Sequence, residues 1–173
     1  GWATLNLPFS VAIPEGVTVY ATGERFIVNE VECLFISEVA DAVPACTPVL
    51  LKAEAGTYTF PIPDFGWGRP INTSLTGMLK SGSVSGSNVY TIGENKLVKR
   101  SGSSGSMKAN TAYYTAESEA AELPFTFEEG TPVGIVSVDA DLKNAKFFDL
   151  SGRRVAKMQK GIYIVNGKKV YVK

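Results

Sequence analysis

Any chemistry in this chain has to be done without histidine. The 173 residues contain none, so the side chain that most often serves as general base and metal ligand near neutral pH is missing. Ser-His-Asp, Cys-His and His-zinc sites are thereby excluded. Carboxylate pairs are the remaining route to acid–base work, with Glu128 and Glu129, and then Asp139 and Asp141, as the candidates. Adjacent residues of an extended segment point to opposite faces, and Glu128-Glu129-Gly130-Thr131-Pro132 has the composition of a solvated turn. Asp139-Ala140-Asp141-Leu142-Lys143-Asn144 places oxygen ligands at alternate positions, but Lys143 intrudes, and the glycine and distal glutamate of a calcium loop are missing. The expectation is a protein that is not an enzyme and carries no metal or cofactor.

Two other groups of residues have chemical potential. Cys33 and Cys46 fall on what read as neighbouring strands. A disulfide between them closes a loop worth about 2 to 3 kcal/mol; two buried free thiols are the alternative. Phe65-Gly66-Trp67-Gly68-Arg69-Pro70 sets two aromatics among glycines in a connection between β units. An exposed ring at Phe65 or Trp67 can stack on a sugar or a peptide; capping the core between the units is the other use of Trp67.

The elements that must position these residues are β almost throughout. Segments 17–20, 26–28, 33–36, 48–51, 57–60, 88–92, 96–98 and 111–115 are rich in β-branched and aromatic residues, and Gly, Pro, Asn or Ser separates them at sandwich or barrel spacing. Only 115–123, with three alanines and three glutamates, has the composition of a helix, about two turns long. The patches 81–87 and 101–106 consist almost entirely of serine and glycine. They have too little apolar surface to offset the entropy of ordering and are read as mobile hairpin loops. Neither ends in the Gly-Lys-Ser/Thr of a phosphate-binding loop.

An internal repeat organises the body. Val19-Tyr20-Ala21-Thr22-Gly23-Glu24 returns as Val89-Tyr90-Thr91-Ile92-Gly93-Glu94, and Val43-Pro44-Ala45-Cys46-Thr47-Pro48-Val49-Leu50 lines up with Met107-Lys108-Ala109-Asn110-Thr111-Ala112-Tyr113-Tyr114. The Gly-Glu pair of each copy reads as a turn. Asn110 in the place of Cys46 argues against a structural need for sulfur there. The predicted fold is all-β: a body over residues 1–128, built from two packed antiparallel units of a sandwich or barrel type (about 1–70 and 71–128), and then a small C-terminal β module over 133–173.

Charge separates the same two parts. Lys plus Arg and Asp plus Glu are 17 each, so the whole chain has no basic character to recruit nucleic acid. The nine bases after residue 142 nevertheless face a single acid, Asp149. That tail can dock on the acidic body or face an anionic partner. No run reaches the roughly 18 to 20 apolar residues of a membrane span. Gly1-Trp2 opens at once into a strand-like run, which reads as the start of a piece cut from a larger polypeptide.

The tail itself is a series of short strands. Residues 146–150, 153–155, 161–165 and 168–172 read as strands, and Asn166-Gly167 supplies the positive-φ pair of a type I′ turn. Lysines beside the last strand are expected to guard it as an edge. Phe148-Asp149-Leu150-Ser151-Gly152-Arg153-Arg154-Val155, followed by Lys160-Gly161-Ile162-Tyr163-Ile164-Val165-Asn166-Gly167-Lys168-Lys169-Val170, resembles the C-terminal sorting domain of type IX (Por) secretion cargo in Bacteroidetes-type bacteria. The resemblance covers about the last 30 residues. It singles out Asp149, Leu150, Gly152, Arg153, Arg154, Gly161, Tyr163, Asn166, Gly167 and Lys168. The segments 2–9, 14–17 and 43–51 are similar to the uncharacterised β region that often precedes such tails. The resemblance implies a secreted or cell-surface protein, with the rest of a parent polypeptide and the secretion machinery as partners. A carbohydrate- or host-protein-binding adhesion module that uses exposed aromatics is the alternative.

Overall fold

The computed structural model describes residues 1–63, 70–127, 131–132, 136–137, 147–149, 153–155, 161–165 and 168–172. Among these residues there are strands and no helix. The first unit comprises β1 (Trp2–Leu5), β2 (Val11–Ala12), β3 (Val17–Val28), β4 (Val31–Val39), β5 (Ala42–Val43) and β6 (Val49–Ala53). β6 lies antiparallel between β1 and β3, and β3 forms a long hairpin with β4. The hairpin turns at Asn29 and Glu30, whose φ angles of 50° and 67° are those of a primed turn that matches the strands' twist. Gly23-Glu24 is therefore not the turn expected from the sequence. β3 runs straight through it with a bulge between Thr22 and Arg25, and Phe35 of the facing strand packs where a Gly23 side chain would be, 3.0 Å from an ideal Cβ.

The second unit repeats this plan in β7 (Thr76–Met78), β8 (Gly82–Ser85), β9 (Val89–Ile92), β10 (Lys96–Lys99), β11 (Ser104–Met107) and β12 (Thr111–Thr115). The correspondence holds at the level of register. Val19 pairs with Leu51 and Tyr20 with Leu50; their counterparts Val89 and Tyr90 pair with Thr115 and Tyr114. Val11 pairs with Val43, and the equivalent Gly82 pairs with Met107. The Ser/Gly patches are thus the counterparts of the β2–β5 ribbon and form a paired two-stranded ribbon, contrary to the mobile loops expected. Backbone pairing with each other, and the burial of Val84 beneath them, order what composition alone would not.

β13 (Glu122–Thr126) joins the units, antiparallel to β10 and parallel to β4. The main sheet runs β1-β6-β3-β4-β13-β10-β9-β12-β7, and β14 (Thr131–Pro132) adds to β3. Exchanging each strand for its counterpart leaves this order unchanged when read from the other end, as a twofold axis through β13 requires. Asn6 touches its own counterpart: a Cβ on Gly77 would lie 2.4 Å from Asn6 Cγ. The axis also explains one hydrogen bond. The Ala112 amide donates to Thr4 Oγ1 at 2.9 Å, and the equivalent positions hold Pro48, which has no amide hydrogen, and Leu75, which has no hydroxyl.

One core belongs to both units. Tyr20, Leu34, Ile36 and Leu50 of the first meet Leu75, Tyr90, Leu97, Ala112 and Tyr114 of the second, with Leu123 of β13. A second cluster of Val11, Val17, Val19, Val43 and Val49 lies in the first unit alone, covered partly by Tyr58 and Phe60. Residues 57–60, expected as a strand, form no ladder. They serve as cover instead, tied down by the Ala12 amide to Pro61 carbonyl bond at 2.8 Å and by Tyr58 Oη to Glu54 carbonyl at 3.1 Å. The expected helix over 115–123 is also absent. Side chains from elsewhere take its carbonyls: Tyr90 Oη donates to Ala120, Lys99 Nζ to Ser118 and Arg25 Nη1 to Glu117. Tertiary bonds outweigh a helix propensity of a few tenths of a kcal/mol per residue.

The tail strands pair among themselves. β15 (Val136–Ser137), β16 (Phe147–Phe148), β17 (Arg154–Val155), β18 (Gly161–Val165) and β19 (Lys168–Val172) form a sheet in the order β15-β19-β18-β16-β17. β18 and β19 are antiparallel, with Val165 opposite Lys168. β19 is not the edge expected from its lysines, because β15 pairs along its other side in parallel.

Candidate functional site

Several sequence candidates lie outside the described residues: Phe65, Trp67, Glu128, Glu129, Asp139, Asp141, Leu150, Gly152, Asn166 and Gly167. The proposed disulfide is not formed. Cys33 is a buried free thiol on β4 and Cys46 an exposed one. Burial pushes the Cys33 thiol pKa up, and Glu32 beside it adds to the rise. Cys46 has φ of 56° and its counterpart Asn110 has 59°, so the shared requirement of this position is a left-handed backbone, which asparagine tolerates best among non-glycine residues. No group of three or more acidic, histidine or cysteine side chains suited to a metal ion occurs among the described residues.

In the tail motif, Asp149 works as a clasp. Its amide donates to the Arg153 carbonyl at 2.8 Å, its Oδ1 accepts from the Arg153 amide at 2.9 Å, and its Oδ2 accepts from Arg153 Nε at 2.9 Å. Together these bonds close the β16–β17 connection. Arg154 stands opposite Phe148, while Gly161 and Tyr163 lie on β18 and Lys168 opens β19.

A groove on the body was not singled out by the sequence. An open groove of about 690 Å³ runs along the seam where the start of the first unit meets the β9–β10 turn of the second. Trp2, Thr18, Tyr20, Lys52, Glu54, Ile92, Glu94 and Asn95 form most of its wall. Trp2 is fixed there by three neighbours. Its Nε1 donates to Asn95 Oδ1 at 2.7 Å, and its ring packs on Tyr20 at 5.5 Å and on Phe125 at 4.8 Å between centroids. Lys52 Nζ stands 5.5 Å from the ring centroid, a cation–π contact at an exposed site. The opposite wall is a tight turn. The Gly93 amide donates to the Lys96 carbonyl at 2.9 Å, Asn95 takes φ of 55°, and the Asn95 carbonyl accepts from the Phe125 amide at 3.1 Å.

Pseudo-symmetry explains why the groove is open. In the first unit thirteen residues, 23–35, separate the paired Thr22 and Ile36. In the second only four, 93–96, separate Ile92 and Leu97. The longer hairpin fills its side of the axis. Arg25 forms an ion pair with Glu32 and donates to the Glu117 carbonyl at 3.2 Å, Ser118 Oγ donates to Glu32 Oε2 at 2.9 Å, and Thr22 Oγ1 bonds Ser74 at 2.9 Å. Tyr114 lies against this cluster, and burial raises its pKa despite the opposing charge and hydrogen bond of Arg25. The shorter hairpin, ending in Glu94 and Asn95, leaves the matching space to solvent. A length comparison of the two repeated hairpins was the signal that marks this place in the sequence; the aromatic–glycine run at 65–70 drew attention elsewhere.

No family model matches the chain, and no curated protein and no solved structure matches it.

Proposed function

We propose that this chain is a non-enzymatic accessory module of an exported bacterial surface protein, its body a stable β platform and its tail an element of sorting or retention at the cell surface. The observation that carries the reading is the separateness of the tail's hydrogen bonding. Among the described residues, the strands from Val136 onward pair with one another and none shares a ladder with the main sheet, while the Asp149–Arg153 clasp shapes a hairpin of their own. A recognition element read by export machinery needs such a self-contained form, because it has to present the same surface whatever cargo precedes it. The excess of bases in this segment fits a part that meets an anionic partner.

Deletion of residues 133–173 from the parent protein in its native host is the test. The expected outcome is loss of surface display, with the parent retained in the cell or periplasm and its remaining domains folded. Unchanged display after deletion overturns the sorting role. Aggregation of the truncated protein in place of clean mislocalisation assigns the tail to structural support of the body.

A further inference from the structure

We propose that the groove beside Trp2 is a binding site for a neutral oligosaccharide. The proposal does not depend on whether the tail sorts. The groove's volume of about 690 Å³ lies within the range of small-ligand sites, and it is open along the seam, which suits a chain of sugar rings lying in it better than an enclosed monosaccharide.

The wall has the two surfaces a sugar requires. The indole of Trp2 offers an apolar face for ring C–H groups. Its position is set in advance by Tyr20, Phe125 and the bond to Asn95, so little ordering remains to be done on binding. The residues that line the groove around it, Glu54, Glu94, Asn95, Thr18 and Lys52, carry side chains able to accept from or donate to hydroxyls. Glu94 and Asn95 sit on a turn whose backbone is hydrogen-bonded on both sides, which is what a site needs to hold its geometry. Lys52 over the ring occupies the place a sugar face would take. A cation–π contact at an exposed site is worth only about 0.5–1 kcal/mol, so Lys52 is readily displaced and remains near enough to donate to a hydroxyl.

Charge narrows the ligand class. Two carboxylates balance the Lys52 and Gly1 ammonium groups, so the groove has no net positive charge to hold sulfated or uronic acid polymers or nucleic acid, whereas ionised carboxylates are strong acceptors for sugar hydroxyls. The pseudo-symmetric position supplies the contrast: it has the same strands but is closed by Arg25, Glu32 and Ser118, so the opening follows from the short hairpin and not from the fold as such.

The chain contains two tryptophans, and Trp67→Phe leaves Trp2 as the sole indole reporter. Titration of that variant with cellotetraose, xylotetraose, mannotetraose and chitotetraose is expected to give a saturable change in Trp2 emission with at least one of them. Glu94→Ala is then expected to weaken the binding by about tenfold or more with the melting temperature unchanged. Affinity electrophoresis of the unsubstituted chain through gels containing the matching neutral polysaccharides gives a second readout that does not rest on the Trp67 variant, with polygalacturonate as the anionic control. Absence of any neutral ligand in both assays overturns the proposal. So does binding that Glu94→Ala and Lys52→Ala leave intact, a preference for polygalacturonate, or a groove that responds to peptides and to none of the four sugars.

Discussion

The two units of the body share a register and differ in what they bury. Both contribute equivalent residues to the common core, Tyr20 with Tyr90, Leu50 with Tyr114 and Ile36 with Leu97. On the outer face the first unit packs Val11, Val43 and Val49 beneath its ribbon, where the second has Gly82, Met107 and Tyr113. One copy is a two-sided unit with its own valine cluster. The other relies on the shared core and carries a polar ribbon in which Ser83 faces Ser106 and Ser85 faces Ser104, all four exposed. Once two copies share a central core, the outer face of one is released from the requirement to be apolar, and its sequence can drift to Ser and Gly without loss of register.

The sharpest way to break this comparison is a reciprocal exchange on the outer faces. Val11→Ser removes a side chain that is 1% exposed and buries a hydroxyl, at an expected cost of about 3 kcal/mol. Gly82→Val, at the matching exposed position where an added Cβ meets only Met78 Cε at 3.5 Å, is expected to be neutral or to stabilise by about 0.5 kcal/mol. Urea denaturation of both variants measures the two effects, and equal costs would show that the faces are packed alike.

A smaller effect tests the axis itself. Thr4→Val orphans the Ala112 amide and should cost about 1–2 kcal/mol. Adding Ala112→Pro copies the Leu75 and Pro48 arrangement of the other side, and is expected to restore a large part of that loss because the donor is gone. A double variant less stable than Thr4→Val alone would show that the two positions are not equivalent.

The smallest effect concerns the shared left-handed position. Cys46→Asn brings the first copy to the residue of the second and should stabilise by about 0.5 kcal/mol. In the unsubstituted chain a thiol reagent should label Cys46 quickly and Cys33 only after unfolding. Equal, slow labelling of both would contradict the free, exposed state of Cys46.

The sequence was informative wherever a local pattern and the global fold agree. The echoes at 19–24 and 43–50 place counterpart residues at the same cross-strand partners, and the strands at 161–165 and 168–172 pair as their alternation and the intervening Asn-Gly imply. It was silent where distant groups decide. Nothing local to 115–123 announces that Tyr90, Lys99 and Arg25 will capture its carbonyls. Serine and glycine at 81–87 and 101–106 reveal no strand until the pairing of β2 with β5 supplies the template. The groove was invisible for the same reason: it is made by a difference between two hairpins, and neither hairpin alone contains it.

β13 has a kinetic consequence. Phe125 pairs with Leu34, and Leu123 with Leu97, so the strand that closes the main sheet lies after both units in the chain. During synthesis β4 and β10 can each form their hairpins early, from local contacts, yet both keep one unpaired edge until residues 122–126 emerge. Closure of the long-range parallel pair is then the slow step, since loop closure over so many residues must precede any reward from contact. Until that moment two strand edges lack the one partner that bridges them, and a chain stalled or cleaved before residue 122 is left in the state from which edge-to-edge aggregation begins.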